Sequence, residues 1–476
     1  MRPKKWISGL AVGSVVSLAA GLLPLSAPAR GETLESALAR AYLNNPSLNS
    51  QRAAVRAIDE GVPQALSGYR PRVTATVTGG EVTSSTTTKT SSPFPGGGAI
   101  YSTLSGYNSP LSAGVTATQT LYNGFQTANK TRQAESQVFA ARETLRQSVQ
   151  TVLLNAATAY MNLLRDRAIL DLQRRNVEVL QEQLRQTRDR FNVGEVTRTD
   201  VAQAESSLAA GRSQVLTAQA NYTASVATYR QVIGANPGTL SPASPVDRFS
   251  PHTLPAAINL GTAVNPAITL AQYNVDVAES QVKVAEGALL PNFSVQGNFT
   301  QNWLTPQSLS IMNNYSASLF GTLSIPIYQG GSEYSLIRQA KETLGQKRID
   351  MDTARDSVRQ SVVQAWGQLE AAKANIEATQ AQVQAAEIAL NGVREEARVG
   401  QRTTFDVLTA QQTLVNARVA VVTAQHDRVV ASYTLLAAVG RLSPQVLGLR
   451  APAYDARVHY HQVRDSWAGV RNPDGR

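Results

Sequence analysis

Two carboxylates stand in the same setting twice. Asp200 lies in Phe191-Asn-Val-Gly-Glu-Val-Thr-Arg-Thr-Asp-Val201, and Asp406 in Ala397-Arg-Val-Gly-Gln-Arg-Thr-Thr-Phe-Asp-Val407. A carboxylate just past a Gly and Thr break suits the first turn of a helix, where free N–H groups and the helix dipole favour negative charge. Plain helix punctuation explains the glycines and threonines, but it does not require an Asp at the same place twice. Other chemistry is sparse. There is no cysteine, which excludes disulfides, thiolate catalysis, Cys-based zinc sites and N-terminal lipidation. Of four histidines, His459 and His461 stand two apart in a polar tail, and two isolated ligands rarely make a metal site. No Gly-x-Ser-x-Gly, His-Glu-x-x-His or phosphate loop occurs, and Glu395-Glu396 reads as helix surface. The expectation is no enzyme, no cofactor and no metal.

The elements around these residues begin with an export signal over residues 1–29. Arg2, Lys4 and Lys5 precede an apolar run broken by Gly9, Gly13, Gly21 and Pro24, and Ala27-Pro28-Ala29 is a small-x-small cleavage site. Removing the leader lowers the net charge from +10 to +7 (10 − 3). The remaining basic residues are mixed with acids, as in Arg185-Gln-Thr-Arg-Asp-Arg190, so nucleic acid is not an expected partner. No later stretch reads as a membrane helix, so any membrane segment must consist of strands.

The chain is written twice. Gly194 matches Gly400 at an offset of 206 (400 − 194), and the same offset pairs Asp200 with Asp406, Ala159-Tyr160 with Ala365-Trp366, and Leu121-Tyr-Asn-Gly124 with Ile327-Tyr-Gln-Gly330. Upstream the offset is 220 (265 − 45), pairing Asn45-Pro46 with Asn265-Pro266. The extra 14 residues (220 − 206) fall in the first half, where the Ser, Thr, Pro and Gly tract Ser84–Gly98 reads as a loop. The divisions are a first repeat over 30–240, a linker over 241–256, a second repeat over 257–442 and a polar tail over 443–476. The tail is expected to be an extended periplasmic appendage.

Each half holds long helices and short strands. Val149, Ala156, Leu163, Leu170, Val177, Leu184 and Phe191 recur every seven residues, and Val362 to Ala397 repeats the stripe. Such a stripe means helices packed side by side with coiled-coil-like knobs. The proline-free run from Phe125 to Val193 would make a helix about 100 Å long. Gly194 and Gly400 should end these helices in the left-handed conformation. Thr197 or Thr199, and Thr403 or Thr404, should cap the returning ones. Four segments alternate with period two: Arg72–Thr78, Ala113–Leu121, Phe293–Phe299 and Tyr315–Ile325. Their length suits tilted membrane strands. Four strands cannot close a barrel, and an open edge in lipid leaves backbone groups unbonded, so several protomers must share one.

With these features in order and duplicated, the sequence resembles the TolC family of outer-membrane efflux and secretion channels, from Thr33 to about Leu442. The resemblance rests on the doubled Val-Gly-x-x-x-x-x-Asp-Val tips, on Tyr-Asn-Gly and Tyr-Gln-Gly, on the paired Asn-Pro signals and on the duplication. It implies an α+β membrane protein and a homotrimer. Four β-strands per protomer would join a shared twelve-stranded transmembrane β-barrel, and long antiparallel helices would form a periplasmic α-barrel. It implies a location in the outer membrane reaching into the periplasm. The implied partners are outer-membrane lipid, a periplasmic adaptor (membrane fusion protein) and an inner-membrane pump of ABC, RND or MFS type. The family's gate pattern matches Arg402 and Asp406, with Asp200 as the first-half equivalent. Where the family often has a further acid, this chain has Thr409. Val193, Gly194, Val399 and Gly400 would be the adaptor-docking tips. The implied function is an exit duct for solutes or polypeptides, in efflux or type I secretion. The rival is a non-channel coiled-coil envelope protein or adhesin, which leaves the duplication and the strands between helices unexplained. A periplasmic adaptor would have one hairpin, not two.

Overall fold

The computed structural model describes residues 31–303 and 313–473. The leader 1–29 lies outside the described residues. In chain order the first half runs α1 (Leu34–Asn44), α2 (Pro46–Asp59), α3 (Gly61–Leu66), β1 (Arg72–Gly79), β2 (Val82–Ser91), β3 (Ala99–Asn108), β4 (Leu111–Asn123), α4 (Gln126–Asn192) and α5 (Arg198–Ile233). The second runs α6 (Leu254–Val264), α7 (Pro266–Gly287), β5 (Asn292–Trp303), β6 (Asn313–Ser324), α8 (Ser332–Arg398) and α9 (Thr404–Ala438), and α10 (Arg457–Val463) lies in the tail. α4 and α8 each have 67 residues, about 100 Å at 1.5 Å per residue, and their ends stand 206 apart.

The Asn-Pro pairs explain themselves. Asn45 Oδ1 accepts from the N–H groups of Ser47 and Leu48, with Pro46 at the first helical position of α2. Its amide also donates to the Val232 carbonyl at the end of α5 (2.9 Å). Asn265 repeats this for α7 and donates to the Ala438 carbonyl at the end of α9 (2.8 Å). In each half one side chain starts a helix and satisfies the last turn of another. The largest core joins Leu38, Leu48, Leu153, Tyr160, Tyr229, Ile233, Leu436 and Leu442, where α1, α2, α4, α5 and α9 converge. The Tyr160 hydroxyl lies 2.7 and 2.6 Å from the carbonyl oxygens of Glu32 and Ser241.

Strands β1, β4, β5 and β6 form one antiparallel sheet in the order β1-β4-β5-β6. All helical connections leave one end of it, through α3, α4, α7 and α8. Three expectations are corrected. The tract Ser84–Gly98 is not simply a loop: β2 pairs with β3 from Val82↔Asn108 to Ser91↔Ala99, so most of the insertion is a β-ribbon beyond the sheet. Its threonines favour extended backbone, and Ser85–Ser105 and Thr87–Thr103 join hydroxyl to hydroxyl across it at 2.9 Å. The tail is not an extended appendage. α10 packs on the first half, with His459 3.0 Å from buried Asp59 and Arg464 3.3 Å from Glu135. Finally, Leu254–Gly287 is long and apolar enough for a membrane span by composition. It breaks at Asn265-Pro266 into α6 and α7, which pack on α8 and on α4 and α8 respectively.

Candidate functional site: the hairpin tips and the strand wall

α4 and α5, and α8 and α9, are antiparallel hairpins whose tips share one backbone plan. Gly194 (φ 81°) and Gly400 (φ 80°) take the left-handed conformation as expected. The following N–H groups, of Glu195 and Gln401, both donate at 2.9 Å to carbonyls five residues back, those of Arg190 and Glu396. The open choice of cap resolves to Thr197 and Thr403. Each Thr accepts from the Asp N–H at 3.3 Å, and the Asp Oδ2 accepts from the Thr N–H at 2.9 Å. Asp200 and Asp406 therefore each close a capping box. In both, the Thr N–H and the Thr hydroxyl donate to the same carboxylate oxygen, Oδ2.

These bonds hold both carboxyls below the usual carboxylate range. For Asp406 the Thr403 N–H contributes most, then the Thr403 hydroxyl, then the nearby Arg402. For Asp200 the Thr197 hydroxyl leads, then the Thr197 N–H.

Arg402 pairs within its own tip, Nε to Glu396 at 2.8 Å, and the bond raises its pKa further. From the sequence Glu396 reads as plain helix surface, and nothing in its spacing signals this role. The first tip holds a bridge of its own, Arg190–Glu195 at 2.9 Å, which the spacing does not signal either. Aligned at the offset of 206, Arg190 stands where Glu396 does, so this end of the bridge reverses its charge, while the other partners lie one position out of register, Glu195 aligning with Gln401 and Arg402 with Val196. That reversal is visible in the alignment once the cap geometry shows which positions meet.

The tips lie side by side. Leu408 of α9 packs with Leu180, Leu184, Ala204 and Leu208 of the first hairpin. Arg394 donates to Gln411 (3.0 Å), which donates across to Asn176 on α4 (3.4 Å). A groove of about 830 Å³ runs between the tips, lined by Glu182, Arg190, Asp200, Arg398, Arg402 and Thr403 among others. Val193 and Val399 project from the two ends, 72% and 70% exposed. The fold thus brings Asp200, Arg402, Asp406 and the Val193-Gly194 and Val399-Gly400 turns to one end of the molecule, while His459 and His461 lie in the tail on the first half.

At the other end the sheet has two faces. One register carries Val73, Val77, Leu111, Val115, Phe293, Phe299, Trp303, Leu319 and Leu323. The alternate register carries Thr74, Thr76, Thr116, Gln296, Asn298, Thr300 and Ser316, with Thr116 donating to Asn298 at 2.9 Å. An apolar face backed by a hydroxyl and amide face is the wall of a water-filled membrane barrel.

Residues 37–235 and 258–441 match the family described as outer membrane efflux protein. The chain belongs to this family. It is 42% identical over 459 residues to the outer membrane efflux protein BepC of Brucella suis biovar 1 (strain 1330), covering 96% of each chain. It is 28% identical over 444 residues to the outer membrane protein TolC of Escherichia coli (strain K12), covering 89% of this chain and 85% of that one. Among solved structures, the Campylobacter jejuni CmeC outer membrane channel shares the fold with a TM-score of 0.72 at 17% identity. That match covers 91% of this chain and 89% of the other. The protein is an outer-membrane exit channel of the efflux and type I secretion class, resident in the outer membrane and extending into the periplasm. Its family is one of channels, not of enzymes. Channels of this kind are trimeric and work with secretion or efflux partners.

Proposed function

We propose that three copies of this chain close one twelve-stranded barrel by joining β6 of each to β1 of the next. Their hairpins then hang together as a periplasmic α-barrel that receives cargo from an inner-membrane pump of ABC, RND or MFS type through a periplasmic adaptor. The observation that carries this reading is a four-stranded sheet with two unbonded edges, from one end of which two hairpins about 100 Å long emerge. An edge strand in lipid requires a partner, and the identical neighbour supplies one.

In this reading Val193, Gly194, Val399 and Gly400 are the surface on which the adaptor seats. Asp406 and Asp200 line the constriction. The cap engages Oδ2 of each, which leaves Oδ1 to face the lumen. Arg402, on its bridge to Glu396, holds the second tip inward. Exposed bridges contribute about 0–1 kcal/mol each, so several weak links, rather than one lock, let docking open the pore. Residues 1–29 are the cleaved leader, 30–240 and 257–442 the two repeats, 241–256 the linker between them and 443–476 the periplasmic tail. N-terminal sequencing of the mature protein should begin at Arg30.

The test is conductance of the purified protein in a planar lipid bilayer, with and without Arg402→Ala and Asp406→Ala. The expectation is small, long-lived steps that grow in the variants. Unchanged steps would move the gate elsewhere, and folded, inserted protein without conductance would end the channel reading.

A further inference from the structure

The C-terminal tail climbs the first half toward the strands. The Tyr454 N–H donates to the Tyr42 hydroxyl on α1 (3.1 Å), and the Arg52 guanidinium lies over both rings, 4.6 Å from that of Tyr42 and 5.1 Å from that of Tyr454. His459 then meets Asp59, the last residue of α2, at 3.0 Å. Tyr460 and Arg464 reach Glu135 on α4 at 3.4 and 3.3 Å. Glu135 lies about 14 Å below the start of that helix at Gln126. Last, Arg70 donates to the Ser466 carbonyl (2.5 Å) and stacks on the Trp467 ring (4.7 Å).

Two observations fix the level of Trp467. Arg70 precedes β1 by two residues. The adjoining Tyr69 carbonyl accepts from the side chain of Gln119 on β4 (3.0 Å), in the register of apolar Val115 and Ala117. Trp467 therefore stands beside the periplasmic ends of the strands, continuous with the lipid-facing band. It is 73% exposed, and Val470 is fully exposed. Arg70 and Arg471 have no ion pair among the described residues.

We propose that residues 466–471 with Arg70 form an interfacial anchor for anionic phospholipid of the periplasmic leaflet of the outer membrane. An indole is amphipathic and settles at headgroup depth. There Trp467 and Val470 enter the upper acyl region while Arg70 and Arg471 meet lipid phosphates. The tail thus ties the α2–α4 wall to the bilayer and sets the height of the barrel.

The test uses the full chain with Trp6→Phe, Trp303→Phe and Trp366→Phe, which leaves Trp467 as its one tryptophan. It is reconstituted into vesicles of phosphatidylethanolamine and phosphatidylglycerol, and separately of phosphatidylcholine. Acyl-brominated lipid should quench Trp467, aqueous iodide should not, and phosphatidylglycerol should strengthen quenching about twofold. Should the triple variant not fold, a nitroxide on Val470→Cys reads the same depth, because the chain has no native cysteine. Quenching by iodide alone would place the tail in water and overturn the anchor. Bromolipid quenching indifferent to phosphatidylglycerol would overturn recognition of anionic headgroups.

Discussion

α4 and α8 have the same length and the same place in their repeats, yet α4 carries more than twice as many buried side chains. α4 is the spine of the protomer. It packs on α5, α7 and α9 and is covered by α1, α2 and α3. α8 packs on α9, α7 and α6 and leaves Leu336, Ile349, Val363 and Ile388 exposed. Duplication supplied two equal helices, and the assembly uses them unequally. The first builds the protomer, and the second leaves apolar side chains exposed along its flank. Ile349, Val363 and Ile388 fall on one side of this helix at 3.6 residues per turn, which is the pattern expected of a face that a neighbouring copy would cover.

The sharpest way to break this comparison is to place one charge at the equivalent positions Ala157 (0% exposed) and Val363 (44% exposed). Ala157→Asp buries an unpaired carboxylate and should cost about 4–5 kcal/mol or more, enough to abolish folded protein in denaturant titration. Val363→Asp should change protomer stability by less than about 0.5 kcal/mol but weaken the trimer, read as dissociation in detergent by light scattering. Equal effects would remove the distinction between spine and flank.

The turns into the two helices give a smaller contrast. At Gly124 (φ 62°) an added Cβ would lie 2.3 Å from the Gly287 carbonyl oxygen, whereas at Gly330 (φ 69°) nothing is within 4 Å. Gly330→Ala should cost about 1–2 kcal/mol for its left-handed backbone alone. Gly124→Ala carries that cost plus the clash and should cost distinctly more, measured by thermal unfolding.

At the tips the comparison should vanish. Thr197→Ala and Thr403→Ala should each cost about 1 kcal/mol locally, seen as equal losses of hydrogen-exchange protection in the first turns of α5 and α9. The smallest effect is in pH. Asp200 and Asp406 have folded pKa values below the ordinary 3.8. Their contribution is therefore complete above that value and is lost as pH falls through the depressed folded values. Protection factors at both tips should fall together below about pH 4, and a difference between them would show that Arg402 and Arg190 do not act alike.

Much of this was legible in one chain. The seven-residue stripe and the absence of proline set α4 to within a residue of its ends, because a long helix needs only a local period and a stop. Gly194, Gly400 and the Asn-Pro caps are local too. The β2–β3 ribbon was not legible. Its two faces are both rich in Ser and Thr, so alternation leaves no apolar contrast, and its composition imitates a loop. The cap choice between Thr197 and Thr199 turned on backbone geometry.

By itself, then, the sequence determined the duplication, the helix lengths, the strand faces and the need for a neighbour, because period, punctuation and unbonded edges are properties of neighbouring residues. Only the tertiary structure decided that Arg402 reaches Glu396 and that Arg190 reaches Glu195. It alone turned the tail back, to set His459 on Asp59 and Trp467 on Arg70. The last two contacts join residues about 400 positions apart (459 − 59 and 467 − 70), and no local period carries information over that distance.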